Sequence, residues 1–137
     1  MRDSQAAVDA VRRFYNCFGS ANREECFDRV VSGDRRSTIF GTDPDEYLAD
    51  REQWRKYAFQ PGVLVKEGNP RGFADGTMGW VIDQPRFIWE DESSVQTRLT
   101  AVVVNEDEEW KVMHVHISLG VPNKEVGLPP EYTPADS

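Results

Sequence analysis

Apolar residues spaced three or four positions apart predict helices in the first third of the chain. Between Ser4 and Gly19 this spacing is typical of an amphipathic helix with one buried face, with Asp3 or Ser4 as its N-cap. The positions that carry the pattern are Ala7, Val11, Phe14 and Phe18. A second short helix is predicted from Asn22 to Gly33, since Asn22 and Glu25 have the spacing of a capping box.

A third helix is predicted to begin at Asp43 and to end near Phe59. Asp43 has the character of an N-cap, Pro44 suits the first helical position, and Glu46 would complete a capping box. Pro61 and Gly62 then end the helical pattern. This third helix has a mixed face, so we expect it to cover a partly polar surface.

After Gly62 the pattern changes to period two, with many β-branched and aromatic residues, which predicts strands. One further strand is predicted before Gly62, at Ser37 to Phe40. The predicted strands after Gly62 are Val63 to Glu67, Thr77 to Asp83, Arg86 to Trp89, Val95 to Val104 and Trp110 to Gly120. Helices followed by a run of strands predict an α+β domain, in which about three helices pack on one face of a curved antiparallel sheet. We expect one domain over residues 1–121 and a Pro-rich tail over residues 122–137, including Pro130 and Pro134.

Alternation along the last strand places both histidines of the chain on one face. His114, His116 and Ser118 share that face. Alternation in the preceding strand likewise places Arg98 and Thr100 on one face of that strand. We predict that these side chains point toward the helices and line a cavity there. Arg98 would then need an acidic partner, which Asp43 or Asp45 could supply, or an anionic ligand, because an unpaired buried charge is costly.

The opposite face of the last strand is apolar and has no predicted helix left to cover it. It carries Met113, Val115 and Ile117. An exposed apolar face of this kind favours association, so we predict a homodimer through the sheets.

Charge and cysteine content narrow the functional classes. The 16 Lys+Arg and 24 Asp+Glu residues give a formal net charge of −8, and the basic residues are scattered, which disfavours nucleic acids and anionic membranes as partners. Met1 to Gln5 lack an apolar signal segment, and Cys17 and Cys26 are the only cysteines. We therefore expect a cytoplasmic protein without a disulfide.

Three segments of the sequence resemble the SnoaL-like family of the nuclear transport factor two-like (cystatin-like) superfamily. They are Gly41-Thr42-Asp43-Pro44-Asp45-Glu46, Arg98-x-Thr100 and Trp110-Lys111-Val112-Met113-His114-x-His116-x-Ser118. The resemblance implies a bent antiparallel sheet wrapped on a long helix, a cavity at its wide end, and a homodimer. It leaves the activity open, because the superfamily includes polyketide cyclases, ketosteroid isomerases and proteins that only bind or assemble.

Two functions follow as expectations. The first is a small-molecule-binding domain, favoured because Ser37 to Gly41 lacks the carboxylate that the isomerases place there. The second is a cofactor-independent isomerase, cyclase or dehydratase that moves a proton on a carbonyl compound. In it His116 acts as acid or base, Ser118 or Asp43 orients it, and Arg98 or Tyr15 stabilises an enolate. The candidate ligand-binding residues are His114, Arg98, Ser118, Trp54, Trp80 and Tyr15.

Each candidate also has a structural interpretation. The histidines can be hydrogen-bonded residues that orient the sheet, Arg98 can belong to an ion pair, and Trp54 and Trp80 can belong to the core. Phe14 competes with Tyr15 for the place of an oxyanion donor on the first helix. Two histidines two positions apart lack a third ligand, so no metal or cofactor is predicted.

Overall fold

The structure is a computed structural model that describes residues 1–129. The helices in this part of the chain are α1 (Gln5–Asn16), α2 (Arg23–Val30), α3 (Arg51–Tyr57) and a short 3-10 helix at Asn123–Val126. The strands are β1 (Arg2–Asp3), β2 (Thr38–Phe40), β3 (Tyr47–Leu48), β4 (Val63–Lys66), β5 (Arg71–Asp75), β6 (Met78–Asp83), β7 (Arg86–Trp89), β8 (Ser94–Gln96), β9 (Arg98–Glu106) and β10 (Glu109–Ser118). The predicted α+β class is confirmed.

Helices α1 and α3 begin after side chains that accept hydrogen bonds from free backbone N–H groups, whereas the side chain of Asn22 makes no such bond at the start of α2. Ser4 caps α1 by accepting from the Ala7 amide at 3.1 Å, as one of the two predicted alternatives. The predicted start of the third helix at Asp43 is wrong, because α3 begins after Asp50, whose side chain accepts from the Gln53 amide at 2.9 Å. Residues 43–46 instead form the turn between β2 and β3.

The strands form two sheets. The larger has the order β1-β5-β6-β9-β10-β2-β3, and the smaller has the order β4-β7-β8. All pairs are antiparallel except β10 and β2, which run parallel. The predicted strand from Val95 to Val104 is divided at Thr97, where the chain passes from the small sheet to the large one.

Helix α1 packs closely on the large sheet and forms the centre of the core. Phe14 and Val11 are almost fully buried between the helix and the sheet. The close approach depends on Gly72 of β5, because a Cβ there would lie 2.9 Å from the carbonyl oxygen of Ser4 and from the side chain of Val8. The sequence pattern missed β5, since Gly72 and the preceding Pro70 are typical of a turn.

A disulfide links α1 to α2, contrary to the prediction. Cys17 follows the last turn of α1, and Cys26 lies on α2, so the short connection folds the second helix back against the first. Their Cα atoms are 5.8 Å apart, within the range that a disulfide spans, and both side chains are buried. The prediction was wrong because two helical cysteines nine positions apart give no local sign of pairing.

The predicted tail is described only in part. Asn123–Val126 form the 3-10 helix that follows β10, and Gly127 ends it with a positive φ. Pro130 and Pro134 lie outside the described residues. No helix within residues 1–129 is both long enough and apolar enough to cross a membrane.

Candidate functional site

A β-bulge in β10 decides which side chains face the helices. Val112 lies opposite Val103 of β9 and His114 lies opposite Val102, so Met113 is an extra residue in the ladder. The alternation of faces shifts at this point, and Val112, Val115 and Ile117 are all buried in the core. The prediction that His114 and His116 point toward the helices is wrong, because a single inserted residue reverses the faces beyond it.

The predicted polar cluster exists, but it lies on the outer face of the large sheet. Ser118 lies opposite Arg98, and His116 lies opposite Thr100, as expected from alternation. These residues share the face of His114, whose Nδ1 lies 2.7 Å from Oγ1 of Thr38 and 3.1 Å from the Thr38 carbonyl oxygen. Burial lowers the pKa of His114.

The other members of the outer face have local partners. Arg98 donates to the carbonyl oxygen of Leu119 at 3.3 Å, so the carboxylate partner considered for it is not present there. The ring of His116 lies 5.3 Å from that of Phe40, and Trp80 packs on Phe73 at 4.7 Å. Trp80 is therefore an outer-face residue and does not line the cavity.

The predicted dimer face is also reversed by the bulge. Val115 and Ile117 are 1% and 6% exposed, which leaves them no surface for a second subunit. The exposed side of the sheet instead carries two cross-strand rows, Phe73-Trp80-Val102-His114-Thr38 and Arg71-Ile82-Thr100-His116-Phe40-Tyr47. We call this surface the outer face.

A cavity of about 660 Å³ lies between the helices and the two sheets. We call its buried and half-buried lining the floor, which consists of Phe14, Phe18, Ile39, Gly41, Leu48, Trp54, Ala58, Phe59, Val63, Phe87, Val95, Thr97 and Ile117. We call its exposed lining the rim, which consists of Thr42, Asp45, Glu46, Tyr47, Gln53, Tyr57, Gln60 and Trp89. The floor is apolar and aromatic, and every charged lining residue is at the rim.

The polar groups of the floor are already engaged. Thr97 is 1% exposed and donates through Oγ1 to the carbonyl oxygen of Pro85 at 2.8 Å. This bond joins the two points at which the chain passes between the sheets, and it places Thr97 at the base of the cavity. The floor therefore offers shape and apolar contact, while directional hydrogen bonds have to come from the rim.

Trp54 is the predicted ligand residue that lies in the cavity. It is 2% exposed and packs against Phe14 and Phe27, with ring centroids 6.2 and 5.4 Å away. It belongs both to the core and to the floor, so the two interpretations of this residue coincide. Helix α3, which carries it, is held from outside by ion pairs of Arg51 and Arg55 with Asp28 of α2.

Tyr15 faces away from the cavity and binds a buried carboxylate. Its hydroxyl donates to Oδ2 of Asp83 at 2.8 Å. Asp83 also accepts from the backbone amides of Asn69 and Gln84 at 2.9 and 2.8 Å, and more weakly from Gly68. Burial, aided by the negative charge of Asp83, raises the pKa of Tyr15 far above its ordinary value. The pair fixes α1 to the end of β6.

Asp43 stabilises a turn beside the cavity. Its Oδ1 accepts from the Asp45 amide at 3.0 Å and its carbonyl oxygen accepts from the Glu46 amide at 2.9 Å. Asp43 is not a lining residue, and neither histidine is within the cavity for it to orient. The sequence interpretation did not assign the neighbouring rim residues Asp45 and Glu46 to a ligand site, because the capping signature explained them as part of a helix.

Sequence similarity identifies the class of this protein. The chain matches the SnoaL-like domain family over residues 8–122 and belongs to that family. No curated protein matches the sequence. In the part of the chain that the structure describes, no group of three or more His, Cys, Asp or Glu side chains is arranged to hold a metal ion.

Solved structures extend the likeness to the fold. An NTF2-like protein of unknown function from Pseudomonas putida KT2440 is similar with a TM-score of 0.70 and 12% identity, over 96% of this chain and 99% of that one. A candidate ketosteroid isomerase from Shewanella frigidimarina is similar with a TM-score of 0.66 and 15% identity, over 84% and 96%. The association domain of C. elegans CaMKII is similar with a TM-score of 0.63 and 19% identity, over 83% and 93%. The fold is therefore cystatin-like, and these identities are too low to transfer an activity.

Proposed function

We propose that this SnoaL-like protein binds a small molecule in the cavity between α1, α3 and the two sheets. The observation that carries the proposal is the cavity itself, with a volume of about 660 Å³ and an almost wholly apolar floor. Ligand sites of this kind are concave and apolar, with a few polar groups that fix orientation. Such a volume accommodates a body of several fused or linked rings.

The aromatic residues of the floor form a preorganised wall. Phe14, Phe18 and Phe59 contact one another edge to face, with ring centroids between 5.0 and 5.7 Å apart. Phe87 extends this group, with its ring 5.6 Å from that of Phe18. Rings that are packed together lose little freedom when a ligand binds, which favours affinity for an apolar body.

The alternative of proton transfer by histidine has no support from the geometry. His114 and His116 lie on the outer face, separated from the cavity by the sheet itself. A general base has to reach the proton that it removes, directly or through one water molecule. Binding is therefore the function that the arrangement of residues favours.

The proposal is tested with the uncharged dye N-phenyl-1-naphthylamine, whose fluorescence rises in apolar surroundings. We expect saturable micromolar binding to the wild-type protein. Val63→Trp places a large ring in the cavity and is expected to weaken binding at least tenfold. The neighbouring Leu64, 58% exposed, does not line this cavity, so Leu64→Trp is the matched control and keeps wild-type affinity. Absence of saturable binding to the wild type contradicts the proposal.

We further propose that the protein is a homodimer through the outer face. The predicted residues Val115 and Ile117 are excluded by burial, but the opposite side of the same sheet exposes Phe40, Trp80 and Ile82 by 41%, 38% and 37%. Large apolar side chains in adjacent rows of one sheet are typical of a protein interface. The negative net charge supports a partner other than nucleic acid or an anionic membrane.

The predicted cytoplasmic location remains a proposal, and the disulfide bears on it. A buried Cys17–Cys26 bond is more common in oxidising compartments, although burial also protects a bond from reductants. Alkylation of the freshly extracted, denatured protein distinguishes the two states. Two modified cysteines indicate a reduced protein and support the cytoplasmic location, whereas none contradicts it.

A further inference from the structure

The charges that line the cavity all have one sign. Asp45 and Glu46 are at the rim, and no Lys, Arg or His is among the lining residues that the structure describes. We propose that the ligand is an organic cation, a protonated amine carried on an apolar, ring-containing body. This inference rests on the proposed function and adds the chemical class of the ligand.

The two rim carboxylates have no cationic partner among residues 1–129. Every ion pair found there involves other acids, namely Asp9, Glu24, Asp28, Asp34 and Glu67. Oε1 of Glu46 accepts one bond, from the Asp43 amide at 3.2 Å, which holds the carboxylate in place and leaves its other acceptor positions open. The turn thus presents two negative charges without a cationic partner to the cavity opening, and the Glu46 carboxylate is held there by a hydrogen bond.

The two arginines of α3 are held away from the cavity lining by ion pairs. Arg51 and Arg55 of α3 both pair with Asp28, at 3.1 and 2.9 Å. Lys56 does not line the cavity, and its Nζ lies 5.4 Å from the ring centroid of Tyr57. A carboxylate or phosphate ligand would therefore meet like charges and no cation among the lining residues, which disfavours anionic ligands.

The aromatic side chains of the rim suit a cation as well as an apolar ring. Tyr47, Tyr57 and Trp89 are 48%, 50% and 41% exposed at the opening, and one face of the Tyr47 ring is stacked on Phe40 at 4.5 Å. A positive charge is attracted to the negative face of an aromatic ring within about 6 Å. The contact of Lys56 with Tyr57 shows that one of these rings already accepts a cation. An amine at the rim would meet carboxylates and ring faces while its apolar body fills the floor.

Three probes that share one body separate charge from shape: 2-(1-naphthyl)ethylamine, 2-(1-naphthyl)ethanol and 3-(1-naphthyl)propanoate. Titration calorimetry at pH 7 and low salt is expected to give about tenfold tighter binding of the amine than of the alcohol, with the carboxylate weakest. The advantage of the amine should shrink at 0.3 M salt, because the rim is open to screening. Equal affinity for amine and alcohol, or tighter binding of the carboxylate, overturns the inference.

The double variant Asp45→Asn/Glu46→Gln removes the two charges with little change of shape. We expect the amine to lose its advantage, to within about twofold of the alcohol, while the alcohol binds as before. The control Asp107→Asn/Glu108→Gln makes the same change of net charge in the β9–β10 hairpin, at the far end of the strands, and should keep the advantage. An unchanged advantage in the rim variant also overturns the inference.

The two proposals fail in different ways. Binding of the amine and the alcohol with equal strength, lost in Val63→Trp, leaves the cavity as a ligand site and overturns only the charge preference. Absence of binding by all three naphthyl probes and by the uncharged dye contradicts the binding function itself.

Discussion

At the scale of single residues, the buried Asp83 shows how one carboxylate can organise a domain. It is 6% exposed and is surrounded by the Tyr15 hydroxyl and backbone amides of the β4–β5 connection and of Gln84. A buried charge is tolerated only when such donors replace its water shell. The cluster therefore ties α1, β6 and the loop before β5 together, at a site separate from the cavity.

This cluster predicts a specific loss of stability at high pH. Burial raises the pKa of Tyr15, so above pH 10 the tyrosine ionises in the unfolded chain but stays protonated in the folded one. The unfolded state then binds fewer protons, and the free energy of unfolding falls by about 1.4 kcal/mol for each further pH unit. Urea unfolding between pH 8 and 11 measures this slope.

Two tyrosine variants isolate the contribution of Tyr15. Tyr15→Phe should be destabilised by about 1–2 kcal/mol at pH 8, because Asp83 loses a donor. Above pH 10 its free energy of unfolding should fall less steeply with pH than that of the wild type. The free energy of unfolding of Tyr57→Phe, a variant at an exposed position, should fall with pH in parallel with that of the wild type. If Tyr15→Phe declines as steeply as the wild type, Tyr15 is not the group responsible.

At the scale of elements, the sequence predicted most helices and strands, but it did not predict which side chains of the last strand face the core. The spacing in α1 was sufficient, because Val11 and Phe14 repeat at the helical period. In β10 the bulge at Met113 reverses the faces, and nothing in the alternation of Lys111 to Ile117 marks the inserted residue. The candidate site was therefore assigned to the correct strands and to the wrong face.

The start of the third helix could not be recognised either, for a different physical reason. Asp43, Pro44 and Glu46 satisfy a capping box and a tight turn equally well, since both use an Asp oxygen that accepts from an amide two or three positions on. The turn is favoured here because β3 pairs with β2 in the large sheet. That pairing is a contact outside the segment itself, so the local pattern of residues does not show it. Because of the same ambiguity, the rim carboxylates were not assigned to a ligand site.

The disulfide between α1 and α2 is expected to contribute measurably to stability. The two cysteines are nine positions apart, and closing a loop of that length in the unfolded chain corresponds to about 2–3 kcal/mol. Reduction of the wild type should lower the free energy of unfolding by that amount. Urea unfolding with and without a reductant is the measurement.

The control is Cys17→Ala/Cys26→Ala, whose stability should not respond to the reductant. Both cysteines belong to the same core cluster as the floor residue Phe14, so a titration of the same samples with the uncharged dye shows whether the bond also affects the cavity. A wild type whose stability is the same with and without reductant shows that the bond contributes nothing or is not formed.

At the scale of the whole molecule, the two sides of the large sheet have different surroundings. The inner side forms the core and one wall of the cavity, through rows such as Val81-Ala101-Val115-Ile39-Leu48. The outer side carries aromatic and β-branched residues that no element of residues 1–129 covers. A second subunit is the partner that the self-complementary pattern of a sheet favours, since the same face can pair with itself about a twofold axis.

The dimer is tested by sedimentation velocity at micromolar protein concentration, where we expect the mass of two chains. Trp80→Lys/Ile82→Lys introduces one charge into each of the two cross-strand rows of the outer face. Each charge would have to be buried without a partner in the interface. The double variant should therefore sediment as one chain while it keeps its fold, because both side chains are already partly exposed in the single subunit.

The matched control is Leu64→Lys, on the small sheet at a position 58% exposed, which should remain a dimer. The turn that carries Asp45 and Glu46 connects β2 and β3 at one edge of the outer face, so association through that face would place the cavity rim close to the partner. We therefore expect the monomeric variant to bind the naphthyl amine with altered affinity, although its cavity is unchanged.

A wild type that sediments as one chain, or a double variant that stays a dimer, contradicts association through the outer face.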